Sequence, residues 1–96
     1  MVNMQSTMIV RHYQLSSESV SQKLMTPQHA LVMSVSLNKE REPVLALLEP
    51  EPLPVSAMRE IQQFRDGDLI APGINRRYIG ATLDGEKFCH WFEVLS

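Results

Sequence analysis

The sequence has few of the residues that covalent, metal or phosphate chemistry requires. Its 96 residues include one cysteine, Cys89, so neither an internal disulfide nor a multi-cysteine zinc site can form. Four glycines leave little room for a glycine-rich phosphate loop, and no Gly-x-Ser-x-Gly elbow is present. The histidines, His12, His29 and His90, are not spaced as a metal-binding pair. We therefore expect no enzymatic activity, no metal and no cofactor.

The chain also lacks an excess of positive charge and a long apolar run. Nine basic and eleven acidic residues give a net charge of −2, whereas a general nucleic-acid coat is normally strongly basic. No segment approaches the roughly 18 consecutive apolar residues of a membrane helix, and residues 1–7 lack the apolar core of a signal peptide. Together with the single cysteine, these features predict a cytoplasmic protein that does not associate with a membrane.

What is present suffices for one small domain. Hydrophobic residues make up 44% of the chain, close to the share of about 45–50% in globular proteins. A chain of this length is normally one domain. We interpret residues 1–7 as a disordered lead-in and residues 8–96 as a single folded domain.

Alternating apolar residues predict strands along most of the domain. The expected strands are 9–15, 20–25, 30–37 and 44–48, followed by a hairpin of 77–83 and 87–95. Arg11 interrupts the apolar side of the first strand and favours an edge position. The five consecutive aliphatic residues of 44–48 indicate burial on both faces. Asp84-Gly85 is a strong hairpin-turn signal.

Two segments are less regular. Residues 49–54 hold three prolines, which predict a stiff surface crossing within the domain. In residues 55–65, apolar side chains recur every three positions from Val55 to Phe64, which favours an amphipathic helix. The alternative is a strand at 59–64.

Basic and aromatic residues lie together at the starts of two predicted strands, and they are the candidate partner-binding residues: Arg11, His12, Tyr13, Arg76 and Arg77. If the two strands were neighbours, these side chains and Trp91 would resemble the platforms on which small β-barrels bind single-stranded nucleic acid. The net acidity favours a simpler interpretation, in which Tyr13, Tyr78 and Trp91 are core or rim residues and the arginines are solvated. A protein partner would dock on an edge strand and on adaptable methionines.

The order of several short motifs resembles a family of small, uncharacterised proteins encoded by bacteriophages and prophages. The resemblance covers residues 8–94 and rests on the order of the motifs. These are the strand at 9–15, the turn at 25–27, the strands at 31–37 and 44–50, the stretch at 59–64 with Gly67 behind it, and the hairpin arms Tyr78-Ile79-Gly80 and His90-Trp91-Phe92-Glu93. The chain departs from the family at Arg65-Asp66, where glycine and threonine are common, and at Leu45, where tryptophan is common.

The resemblance implies a phage or prophage origin and a mainly antiparallel β domain. It transfers no catalytic residue. It favours a strand at 59–64 over the helix, with a short helical turn kept near 55–58. We therefore expect a mostly-β domain, a single small antiparallel barrel or sandwich of about six to seven strands.

The expected function is that of a non-enzymatic phage accessory protein. Its partner would be a host bacterial protein, bound for host takeover or to inhibit a defence system, and a second copy of the chain is a further candidate partner. The alternative is a small single-stranded nucleic-acid-binding β-barrel. The predicted core comprises Ile9, Tyr13, Leu31, Met33, Val35, Val44, Leu45, Ala46, Leu47, Leu48, Ile61, Phe64, Ile79, Phe88, His90 and Phe92.

Overall fold

The computed structural model describes residues 7–51 and 56–95, and within these ranges the chain forms strands and no helix. The seven strands are β1 (Thr7–Gln14), β2 (Ser21–Pro27), β3 (Leu31–Leu37), β4 (Pro43–Glu51), β5 (Ser56–Arg65), β6 (Arg76–Asp84) and β7 (Lys87–Val94). The predicted mostly-β fold of six to seven strands is confirmed. Thr7 already belongs to β1, and the rest of the predicted lead-in lies outside the described residues.

The strands form two antiparallel sheets. The three-stranded sheet has the order β1-β4-β3, and the four-stranded sheet has the order β2-β5-β7-β6. β3 packs against β6, and a Cβ atom at Gly80 of β6 would lie 3.3 Å from Cγ1 of Val35 in β3. A glycine at this position therefore permits the close approach of the two strands. Across the described ranges the sheets are not closed into a barrel.

The inner faces of the two sheets share one apolar core. Leu45 and Leu47 of β4 are buried with Ile61 of β5, and Cys89 and Trp91 of β7 join them. Pairing between β5 and β7 and between β6 and β7 brings the buried positions of these strands onto one face. The residues on the other face of each strand therefore point away from the core.

Two predictions about β4 are wrong. Only one face of 44–48 is buried, because Val44, Ala46 and Leu48 face the outer side of the three-stranded sheet and stay partly exposed. The segment 49–51 is not a surface crossing, since β4 continues to Glu51 and Glu49 is buried. Residues 52–54 of that predicted crossing lie outside the described residues.

β7, and β3 up to its bulge, bury the face opposite to the one predicted. In β3 a bulge between Val32 and Ser34 breaks the alternation, so Leu31 and Met33 are exposed while Val32 and Val35 pack against the core. In β7 the buried residues are Cys89, Trp91 and Glu93, whereas the outer face carries the predicted core residues Phe88, His90 and Phe92. Both faces of β7 hold large rings, so alternation alone does not identify the buried one.

Two errors remain in the predicted core, Phe64 and Ile9. Phe64 lies on the outer face of β5, opposite His90 of β7. The other is Ile9. It faces the inner side of β1, but β1 is the edge strand that Arg11 suggested, and 38% of Ile9 stays exposed. Tyr13, Val35 and Ile79 pack against the core as expected, though each is only partly buried.

Residues 56–65 form β5, so the helix favoured by the three-residue recurrence is wrong. The short helical turn near 55–58 is also wrong over 56–58, and Val55 lies outside the described residues. The strand implied by the family resemblance is confirmed. β5 lies between β2 and β7 in the sheet, and pairing on both sides outweighs the local periodicity.

Candidate functional site

The outer face of the four-stranded sheet carries a cluster of rings, which we call the aromatic face: Phe64 of β5, Tyr78 of β6, and Phe88, His90 and Phe92 of β7. Strand pairing sets Tyr78 opposite Phe92 and Phe64 opposite His90. The centroids of Tyr78 and Phe92 lie 5.2 Å apart at an interplanar angle of 66°. Those of Phe64 and Phe92 lie 5.8 Å apart at 68°. Both pairs have the edge-to-face arrangement that aromatic rings prefer.

The aromatic face is open to solvent within the part of the chain that the structure describes. Tyr78 is 53% exposed and Phe88 is 47% exposed, and the neighbouring Leu83 is also exposed. Contiguous exposed apolar surface of this kind marks interaction sites in folded proteins. Tyrosine, phenylalanine and arginine are the residue types enriched where proteins bind each other.

His90 links Tyr78 of the aromatic face to the turn that follows β5. Its Nε2 lies 2.8 Å from Oδ1 of Asp66, in the turn after β5, and its Nδ1 lies 3.3 Å from the hydroxyl of Tyr78. A neutral ring that donates from Nε2 to Asp66 and accepts from Tyr78 satisfies both contacts. The hydrogen bond from His90 holds the pKa of the Asp66 carboxyl below its ordinary value. These contacts orient the Tyr78 ring on the face.

Arg76 joins the aromatic face to the loop between β5 and β6. Its Nη1 donates to the carbonyl of Ala71 in that loop at 3.1 Å, and its Nε donates to Oε1 of Gln62 at 2.7 Å. Its guanidinium carbon also lies 5.3 Å from the centroid of the Phe64 ring. The loop carries Leu69, which is 97% exposed. The loop that Arg76 anchors thus carries an apolar side chain that is almost fully exposed.

Arg11 and Tyr13 lie on the inner face of β1, at a buried carboxylate. Nε of Arg11 lies 3.0 Å from Oε1 of Glu49, as an ion pair. The hydroxyl of Tyr13 donates to the other oxygen of Glu49. Burial and the Glu49 carboxylate raise the pKa of Tyr13 to about 12. These two residues compensate a buried charge, which would otherwise destabilise the fold.

Arg77 belongs to a second buried ionic group. Its Nη2 donates to Oε1 of Glu93 at 2.7 Å, and Arg59 binds the other oxygen of Glu93. Arg59 also donates to the carbonyl of Ala30 at 2.8 Å and to Oγ1 of Thr26 at 3.3 Å. The hydrogen bonds of this group tie β2, β5, β6 and β7 together with Ala30, the residue before β3.

The structure does not bring the five predicted binding residues to one exposed face. Arg11, Tyr13 and Arg77 point inward to the glutamates, and His12 lies on the outer face of the three-stranded sheet opposite Ala46. Arg76 alone lies on the aromatic face. Trp91, which would have completed a stacking platform, is buried and donates to Oγ1 of Thr82 at 2.9 Å.

Sequence reasoning missed the aromatic face. The alternation that places Phe88, His90 and Phe92 on one side was visible, but that side was assigned to the core. One signal in the sequence favoured the other assignment: the opposite side of the strand carries Trp91, the largest side chain, which gains most from burial.

The groups that could take part in chemistry were located among the described residues. No three His, Cys, Asp or Glu side chains among them lie close enough together to hold a metal ion. Burial raises the pKa of the Cys89 thiol, which disfavours the thiolate. The cavity beside Cys89 and Trp91 has a volume of about 90 Å³, whereas more open clefts elsewhere on the described surface reach about 310 and 470 Å³, within the roughly 300–1,000 Å³ of ligand pockets. The described residues include no helix that is long and apolar enough to cross a membrane.

Comparisons with protein-family models, with curated proteins and with solved structures found no match to this chain. Its function therefore has to be inferred from its own geometry.

Proposed function

We propose that this protein is a small β-sandwich that acts as a non-enzymatic binding module and docks a protein partner on its aromatic face. The observation that carries the proposal is the ring cluster of this face, in which Tyr78 and Phe92 meet edge to face and both Tyr78 and Phe88 are exposed. The family resemblance suggests a phage or prophage origin, so the partner would be a protein of the bacterial host, met in its cytoplasm. Host takeover or inhibition of a defence system fits a small binding module of this kind.

The geometry of the aromatic face suits a protein contact. Tyr78 and Phe88 offer large and rigid contact area, and Asp66 and Arg76 hold neighbouring groups in place before any partner arrives. Preorganised aromatic anchors of this kind commonly supply most of the affinity of a protein interface. Leu69, in the loop that Arg76 anchors, adds an exposed apolar side chain that can enter a pocket on the partner.

Charge favours a protein over single-stranded nucleic acid. Proteins that bind single strands combine stacking rings with a positively charged groove along the backbone. Here the guanidinium of Arg76 is engaged by Gln62 and Ala71, and His90 is paired with an acid. The chain as a whole carries a net charge of −2. The alternative is that bases of a single-stranded nucleic acid stack on Tyr78 and Phe92, and an experiment must distinguish this from binding of a protein.

A capture experiment with matched variants tests the proposal. Tagged wild type, a Tyr78→Ser/Phe88→Ser variant and a Leu31→Ser/Met33→Ser variant are incubated with bacterial lysate, with and without nuclease. Both variants remove two exposed apolar side chains, but the second pair lies on β3 of the other sheet. We expect a captured protein that is lost with the first variant, retained with the second and unaffected by nuclease.

Thermal melting of each variant verifies the fold, because exposed substitutions usually change stability by about 0.5 kcal/mol or less. If the first variant melts like wild type and still captures the same protein, the aromatic face is not the docking surface. Capture that disappears on nuclease treatment would instead favour the nucleic-acid alternative.

A further inference from the structure

β1 is an open edge in the part of the chain that the structure describes. It pairs with β4 over its whole length, from Thr7 opposite Glu51 to Gln14 opposite Val44, and no described strand pairs with its other side. The backbone groups on that side are available to another strand. β1 belongs to the three-stranded sheet, so this edge is separate from the aromatic face and independent of the proposed function.

The first half of β1 is apolar and exposed on both of its faces. Met8 and Val10 point to the outer side, opposite Pro50 and Leu48, and both are more than 40% exposed. Ile9 points to the inner side and is still 38% exposed. An inward isoleucine is normally covered by the next strand of its sheet, and here that strand is missing from the described chain.

The usual protections of an edge strand are weak in β1. Natural edges carry prolines, bulges or free inward charges that discourage pairing. The register of β1 with β4 is continuous, without a bulge, and β1 contains no proline. Its inward charge, Arg11, is neutralised by Glu49 of the same chain. β1 is therefore poorly protected against addition of a strand.

We propose that β1 pairs antiparallel with β1 of a second copy of this chain, with Val10 opposite Val10, so that the two three-stranded sheets become one six-stranded sheet. In a two-fold pair of this kind the axis is perpendicular to the sheet, and each residue lies opposite one that points to the same side. The axis therefore passes between two copies of the same residue. The choice of that residue fixes the register, so the short strand β1 allows only a few registers.

Repulsion between like charges and the burial of Ile9 distinguish these registers. An axis at Arg11 would set two guanidinium groups opposite each other, which is unfavourable. An axis at Val10 sets Ile9 opposite Arg11 of the second copy, whose methylene stem can cover the exposed isoleucine. It also sets Met8 opposite His12. An axis at Ile9 would pair fewer residues of β1 and is therefore less favourable.

Variants at Val10 test both the interface and its register. Light scattering with size-exclusion chromatography should give wild type twice the 10.9 kDa mass of one chain. Val10→Lys and Val10→Glu should each weaken association at least about tenfold, because two like charges then meet on the axis. An equal mixture of the two variants should restore the double mass. Leu31→Lys, on the same outer face but on β3, should remain a dimer.

An uncharged variant covers the case in which the charged ones fail to fold. Val10→Cys should form a disulfide between chains under mild oxidation, since the two positions face each other. Gln14→Cys should not, because the two Gln14 positions lie at opposite ends of the paired strands. Wild type with a single-chain mass, Val10→Lys with an unchanged dimer, or a mixture of folded variants that stays monomeric would each overturn the proposal.

Discussion

The guanidinium of Arg76 lies over the ring of Phe64, with its carbon 5.3 Å from the ring centroid. Arg76 opens β6, and Phe64 lies near the end of β5. The loop between them is held by the same guanidinium at the carbonyl of Ala71. Arg76 is therefore a positioning residue, which fixes the exposed Leu69 loop relative to the aromatic face.

Replacement of Arg76 should release this loop without unfolding the domain. Arg76→Ala removes two hydrogen bonds and a cation–π contact, each with a net value of about 1 kcal/mol or less at a partly exposed site. Amide hydrogen exchange of residues 69–71 should become faster, while the β-strand amides change little. Arg76→Lys should resemble Arg76→Ala, since an ammonium group lacks the planar fork that reaches several acceptors. Unchanged loop exchange in both variants would contradict the positioning role.

Leu45→Asp should unfold the domain. Leu45 is fully buried at the centre of the core, beside Leu47 and opposite Tyr13 of β1. Burying an unpaired carboxylate there should cost several kcal/mol, against a total stability of about 5–15 kcal/mol for a domain. Ala46→Asp, one residue along on the outer face, is the matched control and should melt close to wild type. A cooperative melt of Leu45→Asp within a few degrees of wild type would show that the core is misassigned.

Most of the strands were predictable from the sequence because apolar and polar residues that alternate over several positions are typical of a strand with one buried face. The hairpin around Gly85 is an example: Gly85 has a φ of 65°, the conformation that the turn signal requires. At 56–65 local periodicity pointed to a helix, and only the resemblance favoured the strand. The pairing of β5 with β2 and β7 decides that segment, and such long-range pairing leaves no local signal.

The candidate site was less predictable because it depends on which face of each strand is buried. His90 and Phe92 look like core residues until the buried Trp91 is placed beneath them. Arg11 and Arg77 look like free binding residues, and their side chains are 45% and 55% exposed, but each neutralises a buried glutamate. The partners Glu49 and Glu93 lie 38 and 16 positions away in the sequence, so composition and spacing carry no sign of the pairs.

Glu93→Ala should destabilise the domain far more than the loss of an exposed ion pair. Arg59 and Glu93 are both largely buried, with side chains 12% and 7% exposed. Removing the carboxylate leaves the Arg59 charge without its partner, at a cost of about 3–5 kcal/mol. Asp84→Ala breaks the exposed Arg65–Asp84 pair and should cost about 0–1 kcal/mol. Urea unfolding of both variants measures the difference, and equal costs would contradict a buried ionic group.

Tyr13 should make stability depend on alkaline pH. Its pKa rises from the ordinary 10.0 to about 12 because burial and the Glu49 carboxylate disfavour the phenolate. The neutral hydroxyl is thus favoured in the folded state, so this stabilisation is complete below pH 10 and is lost as the pH rises towards 12. Tyr13→Phe should lack that dependence. Absorbance titration of Tyr78→Phe, in which Tyr13 is the remaining tyrosine, checks the value; titration near the ordinary 10.0 would contradict it.

Cys89 should be unreactive and dispensable for binding. The thiol lies on the inner face of β7 beside Trp91, and its burial raises its pKa. A buried thiol that is mostly protonated at neutral pH is both inaccessible and weakly nucleophilic. A disulfide reagent should therefore label the native protein slowly and the urea-unfolded protein rapidly. Ser34→Cys, on the exposed face of β3, provides the rapidly labelled native control.

Cys89→Ala should also retain capture of the host protein, because the aromatic face lies on the opposite side of β7. The variant loses only the packing of one sulfur atom, at about 1 kcal/mol of stability. Rapid labelling of Cys89 in the native protein at neutral pH, together with loss of capture, would instead place the thiol at a functional surface.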